Sequence, residues 1–155
     1  MGEKIGFVGC GAMGGALVRA ICGKTDAKNV AITDVNFESA QRLAKEVGCV
    51  ALQTNVEIVK FAKYIFLAVK PQIVPLVLSE INASLQNDNV LVSMAAGVTL
   101  EKMQSLVSVP VIRIMPNTPA QVAEGMIALC HTANASEQDV KMWKLFWRAQ
   151  EKFSE

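Results

Sequence analysis

The sequence has almost no surplus charge: 15 lysines and arginines against 14 acids leave a formal net charge of +1. No run of basic residues makes up for that, so the cationic face that phosphate-backbone binding needs is missing and no nucleic-acid partner is expected. Long apolar runs are missing too. None approaches the roughly 18–20 residues that cross a bilayer, and the N-terminus enters a strand pattern without a charged-then-apolar leader. No membrane partner is therefore expected. Paired cysteines are lacking: Cys10, Cys22, Cys49 and Cys130 are scattered and form no C-x-x-C motif. They read as reduced thiols of a cytoplasmic protein. Histidine occurs once, at His131. No carboxylate or cysteine lies at a ligand spacing from it, so a surface histidine is expected and no metal. Internal repeats, low-complexity tracts and linkers are absent as well. What is left is a chain of 155 residues, 52% hydrophobic and 19% charged, a size that suits one domain with a full core.

The most informative stretch is Ile5-Gly6-Phe7-Val8-Gly9-Cys10-Gly11-Ala12-Met13-Gly14. A strand-like apolar run enters a G-x-G-x-x-G at Gly9, Gly11 and Gly14, and a helical pattern (Ala16, Leu17, Ala20, Ile21) follows at once. Gly9 permits the tight strand-to-helix turn, Gly11 lets backbone approach a pyrophosphate, and Gly14 lets the helix pack close to the strand. An acid, Asp34, follows at roughly the 20-residue separation of a dinucleotide site. A glycine-rich structural turn is the competing account.

Downstream, Val30–Asp34 predicts a second strand, and Asn36 a cap for a helix over Phe37–Val47, closed by Gly48. Cys49–Ala51 predicts a short third strand, and Asn55 a cap for a helix over Val56–Phe61. Tyr64–Val69 is a continuous apolar run suited to a parallel sheet covered on both faces. Further elements are expected as a helix through Val74–Ile81, a strand at Asn89–Ser93, a helix over Leu100–Val107, and strands at Val111–Ile114 and Met126–Leu129. Ser136 opens an amphipathic helix to about Arg148, with Val140, Trp143 and Trp147 as its apolar stripe. Strands alternating with short helices predict an α/β protein: a Rossmann-like, doubly wound, mostly parallel sheet with helices on both faces. Residues 1–155 are expected to be one dinucleotide-binding domain, with no second domain in this chain.

Asp34 at the tip of the second strand suits a bidentate grip on adenosine ribose hydroxyls, which favours NAD. Val35 stands where an NADP site often has arginine, yet Asn36 can donate to a phosphate, and a helix-capping aspartate is the alternative. Ala68-Val69-Lys70-Pro71-Gln72 lies at the carboxyl end of the fourth strand, where ligands bind in open α/β sheets. Lys70 there is either a cation near the cofactor or a plain surface lysine before a proline-started helix. Ala95-Ala96-Gly97 is small enough to let a nicotinamide lie against backbone, or is simply a tight turn. In Met115-Pro116-Asn117-Thr118-Pro119-Ala120, two prolines stiffen a loop and present the Asn117 amide in a fixed direction. The Trp143, Phe146, Trp147 group reads as a packing face.

Together, Gly9-Cys10-Gly11-Ala12-Met13-Gly14, Ala68-Val69-Lys70-Pro71-Gln72, Ser93-Met94-Ala95-Ala96-Gly97-Val98-Thr99 and Met115-Pro116-Asn117-Thr118-Pro119 resemble pyrroline-5-carboxylate reductase. The motifs stand in that family's order, from Lys4 to about Gly125, and the last two are the specific ones. The resemblance implies reduction of 1-pyrroline-5-carboxylate to L-proline with NADPH or NADH, the last step of proline biosynthesis. It further implies that Gly9, Gly11, Ala12, Met13 and Gly14 cradle the pyrophosphate, and that Asp34, Asn36 and Asn55 lie on the adenosine side. Ala68, Val69, Lys70, Ala95, Ala96 and Gly97 would line the ribose and nicotinamide. Lys70 and Asn117 would form the substrate and nicotinamide environment. None is a clear proton donor, and cofactor chemistry of this kind asks the protein mainly for orientation. Family members continue into a helical domain that forms an intertwined dimer and grips the substrate carboxylate. This sequence has no such domain, so cofactor binding without efficient turnover is expected, and a homo-oligomer only where that domain is present. Two other functions remain open. One is a non-catalytic nucleotide-binding sensor or docking module, with Trp143 and Trp147 as its docking face. The other is another NAD(P)-dependent imine or cofactor reductase.

Overall fold

The computed structural model describes residues 2–115 and 127–151. Eight strands form one sheet in the order β3-β2-β1-β4-β5-β6-β7-β8. They are β1 (Ile5–Val8), β2 (Val30–Thr33), β3 (Val50–Ala51), β4 (Tyr64–Leu67), β5 (Val90–Ser93), β6 (Val111–Met115), β7 (Ala128–His131) and β8 (Gln150–Glu151). β1 to β6 run parallel; β7 is antiparallel to β6, and β8 parallel to β7. The strand order therefore reverses at β1 and β4, which pair Ile5 with Tyr64 through Val8 with Leu67.

Alternation along these buried strands sorts their side chains into two cores. Ile5, Phe7, Ile32 and Phe66 face one side with α1 (Ala12–Cys22) and α2 (Phe37–Val47). Val8, Ala31, Ile65 and Leu67 face the other with α3 (Asn55–Phe61), α4 (Val74–Ile81) and α5 (Leu100–Gln104). Apolar on both faces, such strands read as unbroken hydrophobic runs. The last helix, α6 (Glu137–Trp147), returns to the α1 side. The doubly wound arrangement is the one expected from the sequence.

Local chemistry moved several boundaries. Thr54, not Asn55, caps α3. Its hydroxyl accepts from the Glu57 N–H at 3.1 Å while Glu57 accepts from the Thr54 N–H at 3.2 Å, a capping box. β2 stops at Thr33 because Asp34 turns the chain, and Tyr64–Val69 leaves the ladder after Leu67. The helix from Leu100 ends at Gln104, where the Leu106 and Val107 N–H groups fold back onto the Met103 carbonyl at 3.0 and 3.1 Å. The strand expected at Met126–Leu129 lies at Ala128–His131, where its register with β6 places it; Met126 is outside the described residues. β8 was not anticipated: Arg148 in the left-handed region (φ 50°) reverses the chain after α6 and brings Gln150 beside Ala128.

Trp143 and Trp147 are fully buried, so the docking face assigned to them does not exist. They stack on each other at 5.0 Å and meet the Phe66 ring edge-on at 5.2 and 5.7 Å. The packing expectation for this group holds. Tyr64, at the amino end of β4, donates its hydroxyl to Asp139 of α6 at 2.5 Å, with the Lys63 ammonium 3.5 Å from the same carboxylate oxygen.

Candidate dinucleotide site

The glycine loop sits at the carboxyl ends of β1 and β4, the point where the strand order reverses and where open α/β sheets bind ligands. Gly9 has φ +95°, and a side chain there would run into the carbonyl oxygen of Ala68. Its N–H donates to the Thr33 carbonyl at 2.9 Å, tying β1 to β2 just beyond their ladder. A Cβ on Gly14 would stand 2.9 Å from the Ala68 Cβ, so this residue sets how closely α1 lies on β4. Gly11 differs from both: its φ of −68° suits any residue, and a Cβ would meet no atom of the described residues within 4 Å. The fold itself does not require glycine at position 11.

Gly11 is also the N-cap of α1, and no side chain caps that helix end. No acid lies in its first turn either. The first N–H groups of a helix have no intrahelical partner and carry the positive end of its dipole, so Ala12 and Met13 present donors suited to a pyrophosphate. A dinucleotide fits these residues: a Cβ on Gly11 would meet nothing within 4 Å among the described residues, and the helix end supplies donors.

Asp34 is not the helix cap; Asn36 is, accepting from the Ser39 N–H at 3.3 Å. One Asp34 oxygen accepts from the Cys10 N–H at 3.0 Å and faces the Cys10 thiol at 3.6 Å, and the other accepts from the Asn36 N–H at 2.9 Å. The carboxylate thus braces the glycine loop against β2. Burial first, then the neighbouring Asp34 charge, pushes the Cys10 thiol up to about 11, so it stays protonated and inert at neutral pH. Asp34 and Asn55 share a groove of about 440 Å³ with Thr33, Val35, Gln53 and Thr54. Freed from capping, the Asn55 amide donates to Glu80 at 2.7 Å.

On the other side of the crevice, the Ala68 N–H donates to the Val8 carbonyl at 2.8 Å, and Ala68 and Val69 are half-buried. Lys70 is exposed, with its ammonium in no ion pair among the described residues, just before the Pro71–Ile73 turn. Ala95 is buried in the core on the α4 side, its N–H on the Ser93 hydroxyl at 3.3 Å. Ala96 and Gly97 (φ +78°) are the exposed pair. Asn117 and its proline-flanked loop lie outside the described residues. Sequence inspection missed Gln53, Thr54 and Glu80 around Asn55. Thr54-x-x-Glu57 was a legible capping box, but nothing local brings Glu80 to Asn55.

A larger groove, about 650 Å³, lies away from the glycine loop, beside His131, Lys141, Lys144, Leu145 and Glu151. His131 is half-buried and fixed: Nδ1 lies 2.8 Å from the Thr132 carbonyl and Nε2 2.7 Å from Glu151. The His131 contact, with Lys144 adding to it, holds the Glu151 carboxyl below its usual range. These groups clasp β8 to β7 and α6. Among the described residues no cluster of potential ligands could hold a metal, and no helix is long and apolar enough to cross a membrane.

Residues 4–97 match the family described as NADP oxidoreductase coenzyme F420-dependent. Pyrroline-5-carboxylate reductase 3 of Danio rerio is 38% identical over 145 residues, covering 91% of this chain and 50% of that protein. A pyrroline-5-carboxylate reductase of Coxiella burnetii superposes with a TM-score of 0.90 at 21% identity, over 99% of this chain and 60% of the other. The pyrroline carboxylate reductase of Plasmodium falciparum, solved with NADP bound, gives 0.82 at 22% identity, over 97% and 58%. The chain spans about half the length of the curated relatives it matches.

Proposed function

This chain belongs to the NADP oxidoreductase coenzyme F420-dependent family and matches about half the length of pyrroline-5-carboxylate reductases; on that premise we propose that it is their cofactor-binding part and serves the reduction of 1-pyrroline-5-carboxylate to L-proline. It is an oxidoreductase of the Rossmann type that uses NADPH or NADH. The observation that carries the proposal is the pairing of Gly11, a glycine the fold does not need, with the uncapped N-terminus of α1 at the β1–β4 reversal.

In this proposal residues 1–155 act as one dinucleotide-binding unit. Gly9, Gly11, Ala12, Met13 and Gly14 hold the pyrophosphate, and Asp34, Asn36 and Asn55 take the adenosine end. Ala68, Val69, Ala96 and Gly97 border the nicotinamide, with Ala95 supporting them from the core. Lys70 places a cation, and Asn117 an amide, beside the substrate. The bound cofactor supplies the hydride for the carbon of the C=N bond, and the protein's part is orientation and charge. The scattered cysteines, with no C-x-x-C motif, suit a reducing, cytoplasmic setting.

The test is reduced-nicotinamide absorbance with NADH or NADPH, with and without pyrroline-5-carboxylate, alongside direct binding of each cofactor. Binding with slow substrate-dependent oxidation is the expected outcome, because the chain spans about half the length of the relatives it matches. Failure to bind either cofactor would refute the assignment. Binding with no oxidation, even after the second half of a relative is supplied, would favour a nucleotide-binding sensor.

A further inference from the structure

We propose that Cys22 and Cys49 form a dithiol modification site, which a hydroperoxide converts reversibly into an intrachain disulfide joining α1 to the entry of β3. This site lies at the ends of α1 and α2 away from the glycine loop and does not depend on the dinucleotide assignment.

Two helix ends place these residues. Cys22 closes α1, and Cys49 follows Gly48, just after α2 ends at Val47. Beyond Cys22 the Gly23 N–H returns to the Arg19 carbonyl at 3.1 Å. Beyond α2 the Gly48 and Cys49 N–H groups both take the Ala44 carbonyl, at 2.8 and 3.1 Å. Gly48, in the left-handed region (φ +83°), makes the turn that sends the chain into β3. One turn earlier the two helices are already tied: Arg19, three residues before Cys22, is bound by Glu46, three residues before Cys49, at 2.7 and 3.3 Å. One turn on, the thiols themselves meet, Cys49 donating to the Cys22 sulfur. Both residues pack on the rim of the α1–α2 core and stay half-buried, next to the exposed Gly23, Lys24 and Gly48.

A thiol is a weak donor and a weak acceptor, so the contact itself stabilises the fold little. What two facing sulfurs offer beyond packing is a covalent bond. The other cysteines are placed differently: Cys10 faces Asp34 and stays protonated, and Cys130 is buried in β7. At Cys22 the Cys49 hydrogen bond outweighs burial and holds the thiol below its ordinary value of 9.0. The same bond, then burial and the Cys22 charge, pushes Cys49 up. Cys22 is therefore the nucleophile and Cys49 the resolving thiol, the arrangement that oxidation to a disulfide needs. The Cys22 thiolate attacks one peroxide oxygen, the O–O bond breaks, and the departing oxygen leaves as water with the proton from the thiol. Cys49 then attacks the sulfur of the Cys22 sulfenic acid. The S–O bond breaks, the S–S bond forms, and the hydroxyl leaves as a second water with the Cys49 proton. The two sulfurs lose two electrons, which the peroxide takes up.

The whole chain, reduced and then freed of reductant, is exposed to hydrogen peroxide, alkylated, digested and mapped by mass spectrometry. A peptide linking Cys22 to Cys49, lighter by two hydrogens than its thiol form, is expected within a single chain, and dithiothreitol should return both thiols. Cys10 and Cys130 should oxidise at least about tenfold more slowly. In Cys49→Ser, Cys22 should stop at a sulfenic acid that dimedone captures. In Cys22→Ser, oxidation of Cys49 should slow about tenfold or more. The parent's peptide map decides the case whether or not either variant folds. Cys22 and Cys49 persisting as thiols while other side chains oxidise overturns the site. So does a bridge between two chains, or a parent in which Cys22 advances to sulfinic acid beside an unreacted Cys49. Equal formation of the linked peptide in urea, with the fold lost, overturns it as well.

Discussion

Within the loop, Gly9 and Gly11 look alike in sequence and have different duties. At Gly9 the backbone itself demands glycine, through φ +95° and the nearby Ala68 carbonyl. Gly9→Ala should therefore destabilise the fold by about 2–4 kcal/mol, read from urea denaturation. Gly11→Ala should stay within about 0.5 kcal/mol of the parent in the same experiment, yet lose about tenfold or more in dinucleotide affinity. A destabilised Gly11→Ala, or one that binds normally, would contradict the division. The G-x-G-x-x-G spacing was legible because it is local. Which glycine serves the fold and which serves the ligand was not, because that depends on where the end of β4 lands. Asp34 teaches the same lesson: its position was legible, but its bonds to Cys10 and Asn36 depend on how the β1 and β2 loops meet.

Helix ends and helix faces were read with unequal success. Ser136 as the cap of α6, and the stripe Val140, Trp143, Trp147, follow from 3.6-residue spacing, and the helix forms as expected. Whether that stripe met the sheet or a partner was not in the spacing. Only the fold brings Phe66 and Tyr64 against it. Trp143→Ala should cost about 3–5 kcal/mol, and the tryptophan emission of the parent should be blue-shifted and shielded from iodide. Strong iodide quenching of the folded chain would restore an exposed aromatic face. At α3 the expected cap was off by one residue. Thr54→Ala should lose about 0.5–2 kcal/mol in thermal denaturation, more than Asn55→Ala, since the hydroxyl of Thr54 holds the Glu57 N–H. The reverse ranking would return the cap to Asn55.

Across the whole molecule, the Tyr64–Asp139–Lys63 contact joins the sheet to α6 and gives stability two pH limits. Burial pushes Asp139 up, but the Tyr64 and Ser136 hydrogen bonds and the Lys63 charge outweigh it, leaving its carboxyl below its ordinary value of 3.8. That stability is complete above the ordinary range and is lost as pH falls through it and beyond. Burial first, and then Asp139, raises the Tyr64 phenol above its ordinary value of 10.0. Its contribution is fully present below that pH and lost as pH rises past it. Melting temperature measured from acid to alkali should therefore drop at both ends, and Asp139→Asn should flatten the acid flank and only soften the alkaline one, where the burial of Tyr64 persists. A variant with the parent's pH profile would show that the contact does not couple the two elements.

The sequence by itself determined the kinds of elements, the two-sided burial of the parallel strands and the place of the phosphate loop. Each of these is written in spacing over a few residues, where propensity and periodicity act. Only the tertiary structure decided which groups oppose one another: Ala68 beneath Gly9, Glu80 on Asn55, Phe66 under the tryptophans, Asp139 on the Tyr64 hydroxyl. Such meetings join segments distant in the chain, and they are fixed by strand order and packing rather than by the identity of near neighbours.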